Sequence, residues 1–336
     1  MQTQWLPHVA TVLYDPVHAN RHLTRNALFT LGFREIEAVT TLGDLRRVFE
    51  LGSCDLCIMD VTSEETEACR LIRELRLGRM GNNSFAVIIA TTWRHSGDLV
   101  RNVIESGADD LLIRPLSTGT LRARIEQQVE GRKRFVVTST YIGPDRRRSA
   151  HRDDDQGLFE VPNSLKLKVR DGILSGPPIS EIQEVRRQIE RQRVEKNAFH
   201  IGLACQLIAE HLETPDASYD VDKELVSLAE TAVDLKLRVA GTDFATVAPF
   251  CEGLEAAVKE LTLALKSPRK SERAAKPLAL LMQLSKAVQL ALDAEKDEGV
   301  LSREIAETVE RIKARRAALA EDKQAAETPA AVGAGR

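Results

Sequence analysis

Aromatic residues are scarce in this chain of 336 residues, at 4%, and no apolar run approaches the ~20 residues that a bilayer span requires. The start, Met1-Gln2-Thr3-Gln4-Trp5, lacks the basic-then-apolar plan of a secretory signal. Neither charge dominates: 47 Lys+Arg stand against 50 Asp+Glu, a formal net charge of −3. The chain therefore lacks the bulk positive surface with which proteins displace counterions from nucleic acid or anionic lipid. Cysteine is sparse and odd in number, with Cys54, Cys57, Cys69, Cys205 and Cys251 scattered through a chain long enough to form cores without staples, so no disulfide framework is expected. These absences predict a cytoplasmic protein with no membrane or DNA partner. The length predicts about two domains.

Cys54 and Cys57 form a C-x-x-C, the spacing of redox and zinc sites. It runs into the strand-like Ile58-Met59-Asp60, where positions three apart face opposite sides of a sheet, and no second Cys/His pair stands nearby. Buried or edge thiols are the expectation.

From Val9 to about Glu130 short apolar runs alternate with amphipathic stretches, the pattern of parallel strands joined by crossover helices. Strands are predicted at 9–14, 35–39, 56–59, 86–90 and 111–113, and helices at 19–31, 42–51, 64–77, 97–106 and 118–130. Five such units predict an α/β fold with a doubly wound five-stranded parallel sheet, in which ligands bind beyond the carboxyl ends of the strands. Polar residues collect at those ends: Asp15 after the first strand, Asp60 at the third, Thr91 and Thr92 at the fourth, Arg114-Pro115 at the fifth. Taken alone, Asp60 reads as a helix N-cap or turn residue. In register with the others it reads as part of a site.

In order and spacing these strand ends, with Gly107-Ala108-Asp109-Asp110 before Leu111-Leu112-Ile113-Arg114-Pro115, resemble the receiver domain of bacterial two-component response regulators over residues 9–130. The resemblance implies a flavodoxin-like strand order and a phosphorelay signal transduction protein rather than an enzyme. It implies Asp60 as phosphoacceptor, attacking a phosphoryl donor with a magnesium ion that neutralises the crowded anionic charge. Asp15 and Asp60 would be Mg²⁺ ligands together with the backbone carbonyl of Thr62. Thr91 matches the hydroxyl residue that bonds the phosphoryl group, and Arg114 stands where the family has lysine. Three positions depart from the pattern. Tyr14 replaces the first of two adjacent acids, so Mg²⁺ should bind weakly; Leu111 replaces the aromatic switch residue; and the fork of Arg114 is larger and differently directed than an ammonium.

Residues 131–177 change in composition and are predicted to be a basic, then flexible, connector. Arg132-Lys133-Arg134 and Tyr141-Ile142-Gly143-Pro144-Asp145-Arg146-Arg147-Arg148 bring six basic residues against one acid, and resemble a connector of alphaproteobacterial receiver-containing proteins that ends in YIGPDRR. Gly143-Pro144-Asp145 reads as a turn, with the arginines beyond it free to meet carboxylates or phosphates. Arg147, Arg148 and Arg152 also fit the RRxxxR pattern that begins cyclic-di-GMP-binding PilZ domains, although the rest of that signature is absent. Residues 149–178 read as an extended linker between halves that move relative to each other.

Residues 178–322 are predicted to be an all-α bundle. Ser180 and Gln183 form a capping box for a long helix reaching Leu212, whose stretch 186–196 lacks an apolar stripe and is expected to be exposed. Four amphipathic helices follow, one of them carrying Leu254, Val258, Leu261 and Leu265. His200 and His211 lack the His-x-x-Lys-Gly surroundings of histidine phosphotransfer domains, and acids outnumber bases, which disfavours DNA binding. The Ala- and Gly-rich tail 323–336 is expected to be disordered. Two functional readings follow. In one the receiver accepts a phosphoryl group on Asp60 from a sensor histidine kinase or phosphotransfer protein, and the helical half docks a protein partner or a second copy. In the other the chain is a pseudo-receiver interaction scaffold without phosphoryl transfer. Cyclic-di-GMP sensing through Arg147, Arg148 and Arg152 is a third.

Overall fold

In the computed structural model, which describes residues 3–138, 141–146, 157–215, 219–239, 247–267, 269–292, 299, 303 and 305–310, the five apolar runs form β1 (Thr11–Tyr14), β2 (Ile36–Val39), β3 (Leu56–Asp60), β4 (Val87–Thr92) and β5 (Asp110–Ile113). Every pairing is parallel and the order is β2-β1-β3-β4-β5. With α1 (His18–Leu31), α2 (Leu42–Leu51), α3 (Glu65–Arg76), α4 (Gly97–Ser106) and α5 (Thr118–Glu130) between them, this is the flavodoxin-like, receiver-type order of a doubly wound sheet. Strands covered on both faces must be apolar throughout rather than alternately. Accordingly β3 and β4 are buried at every position, with Cys57, Met59 and Ile88 in one core cluster and Ile58, Val87 and Ile89 in the other. Local signals set the helix ends: the Thr41 and Ser117 hydroxyls accept from the Asp44 and Thr120 amides.

The described cysteines are all free and buried. The strand begins at Leu56, so Cys54 lies outside its alternation, and both thiols of the C-x-x-C pack into the same cluster rather than on opposite faces. Burial pushes Cys57 up to about 12.

The expectation of a flexible connector over 131–177 differs from what its described residues do. β6 (Phe135–Val137) is the middle strand of a three-stranded antiparallel sheet with β7 (Ile142–Pro144) and β8 (Leu158–Phe159), followed by α6 (Ser164–Val169). Gly143 and Pro144 are thus strand residues and not a turn. The physical reason is a buried carboxylate. Asp109 accepts from Arg76 Nη2 at 2.8 Å, Arg132 Nε at 2.8 Å and the Ile88 amide at 2.8 Å. Arg76 and Arg132 also lie over the Phe135 ring, 5.3 and 5.1 Å from its centroid, and Arg146 donates to the Ala108 and Asp109 carbonyls. At Gly107 (φ 94°) an added Cβ would meet the Ile142 carbonyl at 2.5 Å, and at Gly143 one would meet Gly107 Cα at 2.8 Å, so backbones approach where side chains do not fit. Further on, Leu165 and Val169 of α6 enter the core cluster beneath the sheet, and Lys168 pairs with Asp55 at 2.7 Å.

The chain divides into two compact units, residues 1–192 and 193–336, so the boundary falls inside α7 (Ile179–Glu213) and not at the linker. Within 186–196, Arg187 and Arg191 are exposed as expected, whereas Ile189, Arg193 and Val194 are buried. In the second unit the rest of α7, α8 (Val221–Val239), α9 (Ala248–Leu265) and α10 (Lys270–Leu292) share one core that includes Cys205, Leu228, Leu235, Leu254, Val258, Leu261 and Leu281, joined by Ile305 and Val309. Residues 311–336, with the tail, lie outside the described residues. No helix among the described residues is long and apolar enough to cross a membrane.

Two stability predictions follow from these cores. Asp109→Ala leaves two buried guanidiniums without their shared carboxylate and should cost ~3–5 kcal/mol in chemical denaturation; a loss below ~1 kcal/mol would mean that the cluster is not the clasp. Leu261→Ala, at a fully buried α9 position, should cost ~2–5 kcal/mol through lost transfer energy and a cavity.

Candidate functional site

β1, β3, β4 and β5 deliver Tyr14-Asp15, Asp60, Thr91-Thr92 and Arg114 to one edge of the sheet because their registers align: Asp60 lies opposite Thr91, and Tyr14 opposite Met59. All of these side chains are buried. The arrangement is organised by Arg114. Its Nη2 donates to Asp15 Oδ2 at 2.8 Å and Thr91 Oγ1 at 3.1 Å, and its Nη1 donates to Thr24 Oγ1 at 3.2 Å. Its Nε is buried without a hydrogen-bond partner. One guanidinium therefore ties β5 to β1, β4 and α1.

Both oxygens of Asp15 are engaged, since Oδ1 accepts from the Val17 amide at 2.9 Å while Oδ2 receives Arg114. Burial pushes the Asp15 carboxyl up from its ordinary value, against the Val17 amide and the guanidinium, and burial likewise lowers Arg114 from its own. Asp60 is held by its neighbour two residues on: the Thr62 amide donates to Oδ2 at 3.0 Å and the Thr62 hydroxyl to Oδ1 at 2.8 Å. This is the local Asx geometry that a strand-end aspartate adopts in a turn. Tyr14 donates its hydroxyl to Glu64 Oε1 at 3.3 Å; burial, then Glu64, raises its pKa far above the ordinary tyrosine value.

The structure thus gathers Asp15, Asp60, Thr62, Thr91 and Arg114, but in two groups: Arg114 with Asp15 and Thr91, and Asp60 with Thr62. Leu111 is half-buried beside the core. Sequence reading missed Thr24, on the second turn of α1, and Glu64, the acceptor for Tyr14. Nothing in the spacing marks either residue, because each is brought to the edge by helix packing. Arg147, Arg148 and Arg152 lie outside the described residues.

These residues do not fit a divalent cation. The carboxylate that would anchor it already carries two donors, one of them a full positive charge, and the neighbouring acid is a neutral phenol. Among the described residues no group of three or more His, Cys, Asp or Glu could hold a metal ion.

No family model matches the chain, and no curated protein matches it. Solved structures similar to part of it include a response regulator receiver domain protein (CheY-like) from Methanospirillum hungatei, at 20% identity over 35% of this chain and 90% of that one, TM-score 0.32. A response regulator from Thermotoga maritima shows 22% identity over 35% of this chain and 96% of that one, TM-score 0.32. The chemotaxis protein CheY4 from Vibrio cholerae shows 20% identity over 35% and 98%, TM-score 0.32.

Calorimetric titration with Mg²⁺ should show no saturable binding at submillimolar concentration, since a cation would have to displace Arg114 from Asp15. Submillimolar binding abolished by Asp15→Asn would overturn this assignment.

Proposed function

We propose that the first unit is a pseudo-receiver, a signalling module of receiver-type fold that works as an interaction scaffold without phosphoryl transfer, while the helical unit docks a protein partner. The observation that carries this reading is the pairing of both Asp15 oxygens, one with Val17 and the other with Arg114. Phosphoryl transfer to a carboxylate needs a cation able to gather anionic oxygens around the transferred group. Here the fixed cation is already neutralised by a buried carboxylate, and the hydroxyl of Thr91 bonds the same nitrogen. The buried guanidinium ties the ends of β1, β4 and β5 to α1, which supports a module that holds one conformation. The cytoplasm is the proposed setting, and no catalytic activity is assigned.

One observation favours the second reading, a response regulator phosphorylated on Asp60 by a sensor histidine kinase or phosphotransfer protein. It is the register that sets Asp60 opposite Thr91 at the end of adjacent strands. The two readings part in one experiment. Protein incubated with Mg²⁺ and acetyl phosphate, and separately with phosphorylated kinases, is expected to remain unlabelled by intact mass. An acid-stable, hydroxylamine-labile label that disappears in Asp60→Asn would establish the phosphoacceptor and remove the scaffold reading.

A further inference from the structure

Between Asp15 and Glu35 the sequence holds no acid, although acids outnumber bases in the chain as a whole. α1 lies in this stretch, and Thr24, Leu28 and Leu31 form its buried side. On another side His18, His22, Arg25 and Phe29 are exposed. At ~100° per residue these four fall within about 60° of arc, about 120° round the helix from the buried side, and they run ~16 Å along it. The two histidine rings lie parallel with centroids 6.3 Å apart. At the other end of the stripe the guanidiniums of Arg25 and Arg34 lie over the Phe29 ring, 5.6 and 5.2 Å from its centroid. Arg34 Nη1 also donates to the Phe29 and Phe33 carbonyls at 2.8 Å, which fixes it at the end of the helix. In the same unit Arg46, Arg70, Arg94, Arg101, Arg122 and Arg124 each pair with an Asp or Glu. Among the described residues Arg25 and Arg34 pair with none, and Glu35, next to Arg34 in the chain, reaches neither.

We infer that this stripe of α1 is the docking surface for an acidic helix of a partner protein, one that carries Asp or Glu at the same i, i+4, i+7, i+11 spacing. Charge complementarity carries the inference. Guanidiniums that are held in place yet meet no carboxylate of their own chain are matched by carboxylates from outside, which each can grip through two N–H donors. Because both already lie against the ring, binding costs them less side-chain freedom. The spacing is that of a seam between packed helices, where residues three and four apart form one ridge. A phosphate polymer is the poorer match, since such ligands are held by many cations at once and the stripe offers few in a chain of net charge −3. Leu28 and Leu31 in the core and the bond from Arg114 to Thr24 anchor α1 from its other side, so the stripe can be altered without touching the core. The inference rests on the interaction-scaffold reading of the first unit. A covalent label on Asp60 would remove that reading without changing the affinity measured below, and loss of that affinity would remove the surface while leaving Asp60 unlabelled.

Fluorescence anisotropy tests it, with the full chain titrated into a labelled, alanine-based helical peptide of about 20 residues that carries Glu at those positions, in about 50 mM salt. The expected dissociation constant is on the order of 100 μM, and the same peptide with Gln in place of Glu should bind at least about tenfold more weakly. Arg25→Glu combined with Arg34→Glu should abolish binding of the Glu peptide and confer binding of a version with Lys at those positions, whereas Arg70→Glu on α3 should change the constant by less than about twofold. Circular dichroism and melting temperature report whether each variant is folded. Should the double variant not be, His22→Glu on the same stripe should weaken binding at least about threefold. Equal binding of the Glu and Gln peptides, or a charge-reversed variant that binds the Glu peptide as the wild type does, overturns the proposal. Tighter binding to a DNA duplex or to phosphatidylserine vesicles than to the Glu peptide overturns it as well, by assigning the stripe to phosphate.

Discussion

The first unit is organised around a carboxylate that water does not reach. Asp109 stands at the start of β5, and its two oxygens collect a guanidinium from α3, a guanidinium from the segment after α5 and an amide from β4. A buried anion is tolerated only when paired and fully hydrogen-bonded, and the same holds for each buried guanidinium. Arg76 meets this requirement with four acceptors, the carbonyls of Gly107, Ser84 and Ala86 together with Asp109, and stays charged with its pKa lowered by burial to about 10. The docking of the connector follows from this arrangement, because no member of the cluster has solvent to fall back on.

The opposite end of β5 repeats the device with the charges exchanged. There the residue after β5 supplies the cation, Arg114, and the residue after β1 supplies the anion, Asp15. A four-residue strand thus carries a buried ion-pair partner just beyond each end, and each partner links it to elements that are not its sequence neighbours. The carboxyl edge of the parallel sheet thus holds an internally neutralised pair, Arg114 with Asp15, beside the Asp60 carboxylate that Thr62 holds. That pair is the physical content of the pseudo-receiver reading.

Much of the sheet was legible in the sequence. Apolar runs placed all five strands to within two residues, and α2, α4 and α5 fell on their exact residues; the Thr41 and Ser117 hydroxyls cap two of them, and a glycine follows each. Asp15, Asp60, Thr91 and Arg114 were legible too as neighbours on one edge of the sheet, as polar punctuation at strand ends. Their partners were not. That Arg114 turns to Asp15 and Thr91, and that Asp60 turns to Thr62, depends on rotamers and on Thr24 of α1, for which one-dimensional spacing carries no signal. The connector was misread for a related reason. Its glycines, prolines and arginines resemble a solvated linker in composition, and only the buried acceptors at Gly107, Ala108 and Asp109 turn them into sheet and clasp.

Gly107 and Gly143 meet backbone to backbone, and this has a consequence for where the domain ends in practice. The segment that looks like a receiver stops at Glu130, yet the groove left open by the missing Cβ of Gly107 is filled by Ile142 and Gly143, and the ring that Arg76 and Arg132 cover belongs to Phe135. Excised at residue 130, the sheet would keep Arg76 and Asp109 but lose Arg132, Phe135 and the strand that closes over Gly107. The smallest piece that inherits this fold intact is therefore longer than its resemblance suggests, and YIGPD is as much a part of the domain as any strand of the parallel sheet.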